Sequence, residues 1–505
     1  MTKWLTFVAA CWVIVTALIS GAGAVSAQTL RIGLAEDPDV LDPTLSRTFV
    51  SGVVRTALCD KLFDIGLEQE IVPQLATQWE WTDDKRGLVI KLRPGVKFHD
   101  GEPFDAAAVN FSIERHLTMP GSTRKSDISA ISRVEIIDDH TAKLVLSTPF
   151  APLLAQLATS AGTMMSPKAA QAAGENFGSH PVCAGPFKFV ERVVQDRIVL
   201  ERFADYWDKD KIKLDRIVYL PIPDTTVRLA NLQSGGLDLT QVAATDLDTV
   251  RKDPRPKLAA VNGIGYSGIT INVANGERSK TPFGQDARVR QALELSIDRE
   301  ALNQVVFNGE YQPGNQWVPP TNSYYDKERP IPARDIAKAK ALLAAAAAPN
   351  PVVAMTVTNN PVVLQTAQVI QAMAKESGFD MRIQATEFAS ALQLSAKGDF
   401  EAFLLGWTGR IDPDGNIYNL ITCNSPFNDG HYCSPEVDRE LDAARGVEAR
   451  VDRMFHYRIA AEHLLLDLPI IYLYHPKWLY AMSARLSGFT SYPDGLIRPQ
   501  GLRLD

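Results

Sequence analysis

Little in this 505-residue sequence points to bond-making chemistry. It has no Gly-x-Ser-x-Gly elbow, no phosphate loop and no His-Glu-x-x-His pair, which excludes the motif-bearing hydrolases, nucleotide enzymes and zinc peptidases. Histidine is scarce, with eight in all. His456 and His463 lie two helical turns apart, too far to share a metal without a third ligand, and His99 in an Asp-Gly turn reads as a hydrogen-bonded turn residue. No metal site and no cofactor is expected. Basic runs are missing too: 52 Lys and Arg against 59 Asp and Glu leave a net charge of -7. That gives no electrostatic reason to expect nucleic acid or an anionic membrane as partner. Beyond the first 27 residues no apolar run is long enough to span a bilayer.

What is present begins with an export signal. Lys3 supplies a positive start, Trp4 to Ile19 is almost wholly apolar, and Val25-Ser26-Ala27 suits signal peptidase, so cleavage is expected after Ala27. Gly21 and Gly23 favour cleavage over an uncleaved anchor. Lipidation at Cys11 is rejected because the apolar segment mostly follows it. Four of the five cysteines remain after cleavage. An even count in an exported chain favours disulfides over metal or catalytic thiols. Of three possible pairings, spacing favours Cys423–Cys433, which leaves Cys59–Cys183 by elimination. The length exceeds one hydrophobic core and implies two or three domains.

One stretch stands out, Gly398 to Cys433. Phe400 to Gly406 reads as a buried strand that breaks into Trp407, Arg410, Asp412, Pro413, Asp414 and Gly415. An aromatic, a cation and two carboxylates thus gather at the carboxyl end of a core strand, where open α/β sheets bind ligands. The competing reading is an Asp-Pro-Asp-Gly turn beside a core tryptophan. Elsewhere, Phe49 to Leu62 reads as a helix, and Gln78 to Trp81 with Leu88 to Leu92 as a hairpin. Val193 to Phe203 reads as a strand. Val352 to Val357, Pro361 to Ser377 and Met381 to Thr386 read as a βαβ unit. Gly263 to Gly268 matches Gly-x-Gly-x-x-Gly, but a strand follows where a phosphate site needs a helix, so the match is a decoy.

The segment LRPGVKFHDGEPF and the helix after it resemble the fingerprint of family 5 extracytoplasmic solute-binding proteins, receptors of dipeptide, oligopeptide and nickel ABC importers. Cys183 to Phe189, Leu200 to Trp207, Leu220 to Leu239, Asp286 to Gly309 and Asp467 to His475 match further family segments in order. The resemblance implies an α/β clamshell of the periplasmic-binding-protein type, two lobes joined by two hinge strands, with an extra subdomain in lobe I. It places residues 28–72, 185–269 and 483–505 in the lobe I core, 73–184 in the extra subdomain and 270–482 in lobe II. Ile269 to Val273 and the segment near His475 to Tyr480 would be the connections. It implies a periplasmic, non-enzymatic monomer that captures a small-molecule or peptide solute for the transmembrane subunits of an ABC permease and their ATPase. Thr48, Phe49, Cys183, Ala184 and Gly185 would line the cleft from lobe I. Asn272, Thr358, Asn359, Asn360, Trp407, Arg410 and Asp412 would line it from lobe II.

The departures from the family pattern concern the ligand. Where dipeptide and oligopeptide binders have an aspartate for the α-amino group, this chain has Arg410. Where dipeptide binders place an arginine for the carboxylate, it has Thr358-Asn359-Asn360. Arg410 would anchor an anion or pair with Asp412 or Asp414. A nickel- or haem-type chelate receptor and a secreted hydrolase on the same scaffold are the rival functions.

Overall fold

The computed structural model describes residues 28–505, and the expected export signal at 1–27 lies outside the described residues. Two sheets organise the chain. The first has seven strands, in the order Lys257–Asn262, Lys477–Met482, Leu239–Gln241, Thr29–Leu34, Arg216–Pro221, Arg197–Arg202 and Phe187–Val193. Thr29–Leu34 is parallel to both of its neighbours and puts Leu30, Ile32 and Leu34 into the core. The second sheet has six strands, in the order Gln312–Pro313, Ile470–His475, Tyr266–Ile271, Ala402–Trp407, Val352–Thr358 and Asp380–Thr386. Every residue of Ile470–His475 is buried, as its unbroken apolar run requires of a strand covered on both faces. A four-stranded antiparallel sheet over residues 76–146 packs on helix Ala106–Thr118 around Leu88, Ile90, Phe104 and Ile113.

The chain passes between the two large sheets at Gly263–Gly265 and returns at Pro476. The two crossings lie side by side, the Gly263 N–H donating to the Pro476 carbonyl at 3.0 Å. Drawn by sheet membership, the lobe boundaries fall upstream of the 269/270 and 482/483 positions drawn from sequence. Residues 266–269 belong to the second sheet and Lys477–Met482 to the first. The Gly263 to Gly268 motif is a strand crossing, and backbone crowding is its reason for glycine. A Cβ on Gly265 would stand 1.9 Å from the Trp407 carbonyl.

Local signals in the sequence act where they stand. Asp298 caps Arg299–Phe307 by accepting from the Ala301 N–H, and Asn308 ends it in the left-handed region. Ser434 caps Pro435–Gly446. Val352–Thr358 and Asp380–Thr386 pair in parallel around helix Pro361–Lys375, the expected βαβ unit. Two elements differ from expectation. The helix from Phe49 stops at Leu58, because Cys59 turns extended to enter its disulfide. The strand read over Val193 to Phe203 is instead a hairpin, Phe187–Val193 and Arg197–Arg202, turned at Gln195 with φ 60°. Both disulfides, Cys59–Cys183 and Cys423–Cys433, are formed as paired from sequence.

Candidate functional site

A cavity of about 420 Å³ lies between the lobes, in the range of ~300–1,000 Å³ that encloses small molecules. Its floor is the hinge side, where Tyr266, Ser267, Tyr474, Pro476 and Trp478 emerge from the two crossings. The first lobe contributes helix Phe49–Leu58 and the loop before it. Thr48 caps that helix and donates to Asp39 at 2.8 Å. Phe49 stacks on Trp478 with ring centres 4.6 Å apart.

The second lobe contributes the loop after strand Ala402–Trp407. Trp407 is fixed by its indole N–H, which donates to the Gly415 carbonyl at 2.9 Å. The Arg410 guanidinium lies over its ring at 4.9 Å. Gly409, with φ 86°, brings the loop against the first crossing, where a Cβ would meet Ile264 backbone at 2.3 Å. Ligand loop and hinge are therefore in direct contact. The Asp-Pro-Asp-Gly segment is not a plain turn. It starts helix Asp414–Ile421, with Asp412 accepting from the Asp414 N–H at 3.0 Å.

Both carboxylates of that segment are committed elsewhere. Asp412 pairs with Arg453 through two 2.7 Å bonds, and Asp414 pairs with Arg445 at 2.6 and 2.9 Å. The pairing of Arg410 with Asp412 or Asp414, one of its two expected roles, does not occur. The Arg410 guanidinium donates only to the Gly409 carbonyl, at 2.7 Å, and faces the cavity. Burial pushes its guanidinium down to about 10, Asp127 opposing and Arg124 adding to the shift. Arg55, on the helix across the cavity, is held by the hydroxyls of Ser46 and Ser160. Burial first, then the neighbouring Arg124 charge, push it down to about 9. On the same wall burial raises the Glu36 carboxyl to about 7 against the pull of Arg228.

Six of the twelve residues expected to face the solute line the cavity: Thr48, Phe49, Thr358, Asn360, Trp407 and Arg410. The other six do not. Cys183 is buried in its disulfide and Ala184 in the four-stranded subdomain's core, while Gly185 packs so tightly on Leu58 that a Cβ would stand 2.4 Å from its backbone. Asn272 is fully buried and spends its amide on the carbonyls of Asn275, Gly398 and Phe400. Asn359 is exposed, its N–H bonded to Thr386. Asp412 is taken by Arg453. Sequence reasoning missed Arg55, Arg124, Glu36 and Phe427. A cation inside the otherwise apolar FVSGVVRTAL was the available signal for Arg55.

The lobes also touch each other directly. Arg47 pairs with Asp429 at 3.3 Å and lies over Phe427 at 5.0 Å. Asn419 donates to Asp127, and Gln156 to Asp414 at 3.3 Å. The clamshell is closed.

The profile of bacterial extracellular solute-binding proteins, family 5 (middle region), matches residues 70–429. Glutathione-binding protein GsiB of Pectobacterium atrosepticum is 30% identical over 499 residues, 95% of each chain. Among solved structures, the binding protein AgaA from A. tumefaciens R10 with agropinic acid is 27% identical, with a TM-score of 0.86 over 94% of this chain and 99% of that one. DppA of Helicobacter pylori with the peptide STSA is 26% identical, with a TM-score of 0.85 over 94% and 98%.

Proposed function

The chain belongs to the family 5 bacterial extracellular solute-binding proteins, and on that premise we propose that it captures a peptide or peptide-like solute between its lobes and delivers it to the permease of an ABC importer in the periplasm. The observation that carries this reading is the cavity itself, walled by two sheets that are joined, among the described residues, only by the adjacent crossings at Gly263–Gly265 and Pro476. Such a pair of crossings can absorb the dihedral change of a hinge while each sheet stays rigid. The apolar walls around Trp407, Phe49 and Tyr266 exclude water, and a few fixed polar groups orient the solute. A dipeptide- to tripeptide-sized solute suits the volume. A nine-residue chain, which spans roughly 30 Å when extended, does not.

The rival readings find less support on this wall. Among the described residues no histidine lines the cavity, and no three His, Cys, Asp or Glu side chains gather as a metal cage. A serine–histidine or cysteine–histidine pair is missing from the same wall. The test is calorimetry with a panel of dipeptides, tripeptides, glutathione and nickel–histidine, paired with small-angle scattering. At least one peptide or peptide-like member should bind, reduce the radius of gyration and come back chemically intact. Binding of the nickel complex alone, or cleavage of the peptides, would overturn the reading.

A further inference from the structure

Arg55 and Arg410 face one cavity from opposite lobes, and neither has a carboxylate within ion-pairing distance. Of the other charges on the wall, all but Arg228 and Glu36 sit in ion pairs. Arg47 is paired with Asp429, Arg124 with Asp127, and Lys61 with Asp64. Asp64 and Asp494 are both bound by Arg498. Arg228 is held by the carbonyls of Ile222, Pro223 and Gln241, and it is the first cation to act on Glu36. Arg55 and Arg410 are thus left with neither an ion pair nor a set of carbonyls such as holds Arg228; both are depressed by burial and by Arg124, with Asp39 and Asp42 opposing at Arg55 and Asp127 and Asp494 opposing at Arg410. A guanidinium does not give up its proton in a protein. Such an arrangement is costly unless an anion completes it.

The free donor edges agree. Apart from its bond to Gly409, the Arg410 guanidinium meets no protein acceptor. Arg55 is oriented by two serine hydroxyls that bring no charge. Ser46 and Ser160 therefore aim the fork without neutralising it. We propose that Arg55 and Arg410 form a two-sided seat for a carboxylate of the solute, so that the protein selects carboxylate-bearing solutes and the anion itself draws the two lobes together. This rests on the receptor reading above and names the ligand chemistry of the same cavity. Planar paired donors from two sides match the two oxygens of a carboxylate, and an ammonium, which keeps the charge without the fork, could replace either one only in part.

The test uses the mature chain in calorimetry with matched probes: glutathione and its diethyl ester, trialanine and its amide, and phosphoserine methyl ester. Free acids should bind on the order of 30-fold or more tightly than their ester or amide, the loss expected when a buried charge pair is broken. Arg55→Gln and Arg410→Gln should each bring the acid-to-ester ratio close to one, and Arg410→Lys should restore part of it. A purely structural role would weaken acid and ester alike and leave the ratio unchanged. The wild-type ratio decides the question even if a variant does not fold. Equal affinity for acids and esters would overturn the carboxylate seat and leave the receptor reading standing. Binding of the phosphoserine ester alone would overturn the carboxylate assignment, and binding of no probe at millimolar concentration would overturn both readings.

Discussion

Replacing Cys423 and Cys433 together by serine asks what holds the loop that meets Arg47 across the cleft. The disulfide closes a ten-residue loop whose tip carries Phe427 and Asp429, the partners of Arg47 across the cleft. Closing a loop of that size removes about 9 cal/mol/K of chain entropy, roughly 2.7 kcal/mol. A second device competes for the same role. The Asn428 side chain is buried and donates to the carbonyls of Ile421, Thr422 and Tyr432, while its carbonyl accepts from the Tyr432 N–H. If the disulfide dominates, its loss should open the loop by about two decades. The amides of Asn428, His431 and Tyr432, all bonded within the loop, would then exchange ~100-fold faster. The assay is hydrogen exchange on the ligand-free double serine variant beside Asn428→Ala. With a bound solute, the double variant should also release it faster, because Asp429 is no longer presented to Arg47. Unchanged exchange in the serine variant, with collapse of protection in Asn428→Ala, would refute the reasoning and make Asn428 the pin.

Three further outcomes follow from the same geometry. Arg445→Ala leaves Asp414 buried and unpaired, so unfolding stability should fall by about 3–5 kcal/mol in a denaturant titration; a loss below 1 kcal/mol would mean the pair contributes little. Gly409→Ala combines φ 86° with a Cβ 2.3 Å from Ile264 backbone, so it should cost more than the ~1–3 kcal/mol of a strained backbone alone. Gly235→Ala, with φ 81° and open space around it, is the control, and equal losses would deny that loop and hinge are in contact. Asp60 is bonded by Trp207, Tyr206 and Gln74, and burial pushes its carboxyl up to about 7 from 3.8. Between those values the folded chain holds a proton that the unfolded chain has released, so this group's contribution to stability falls as pH rises, by up to ~1.4 kcal/mol per unit. Subtracting the Asp60→Asn profile from wild type isolates that slope from the opposite one of buried His116, and a flat difference from pH 4 to 7 would sink the assignment.

The fold was legible because it is written in short-range signals. Caps at Asp298 and Ser434, the apolar run before His475 and the parallel pair around Pro361–Lys375 each state one element, and each is where the residues place it. The lobe boundaries were less legible. A strand that ends one sheet and a strand that begins the next share the same apolar alternation, and only three residues, Gly263–Gly265, separate them. The cue was the glycine pair, whose causes are the Pro476 carbonyl at Gly263 and the Trp407 carbonyl at Gly265, both far along the chain. A contact between positions so distant leaves no periodicity to read.

The cavity was half legible, and the half that failed shows why. Trp407 and Arg410 announce themselves as polar and aromatic residues breaking a buried strand. Asp412 announced itself equally well, yet it belongs to Arg453, a helix residue 41 positions away that no local pattern couples to it. Residue type marks where charge is placed but not which charges cancel. Cancellation is a property of the assembled structure, and it is cancellation that decides function here. Asp412 and Asp414 drop out because Arg453 and Arg445 neutralise them, and Arg55 enters because only serines hold it. An arginine inside FVSGVVRTAL could equally have snorkelled to water or paired in the core. Its meaning comes from the lack of a partner within reach, and that can be read only once both lobes are in place.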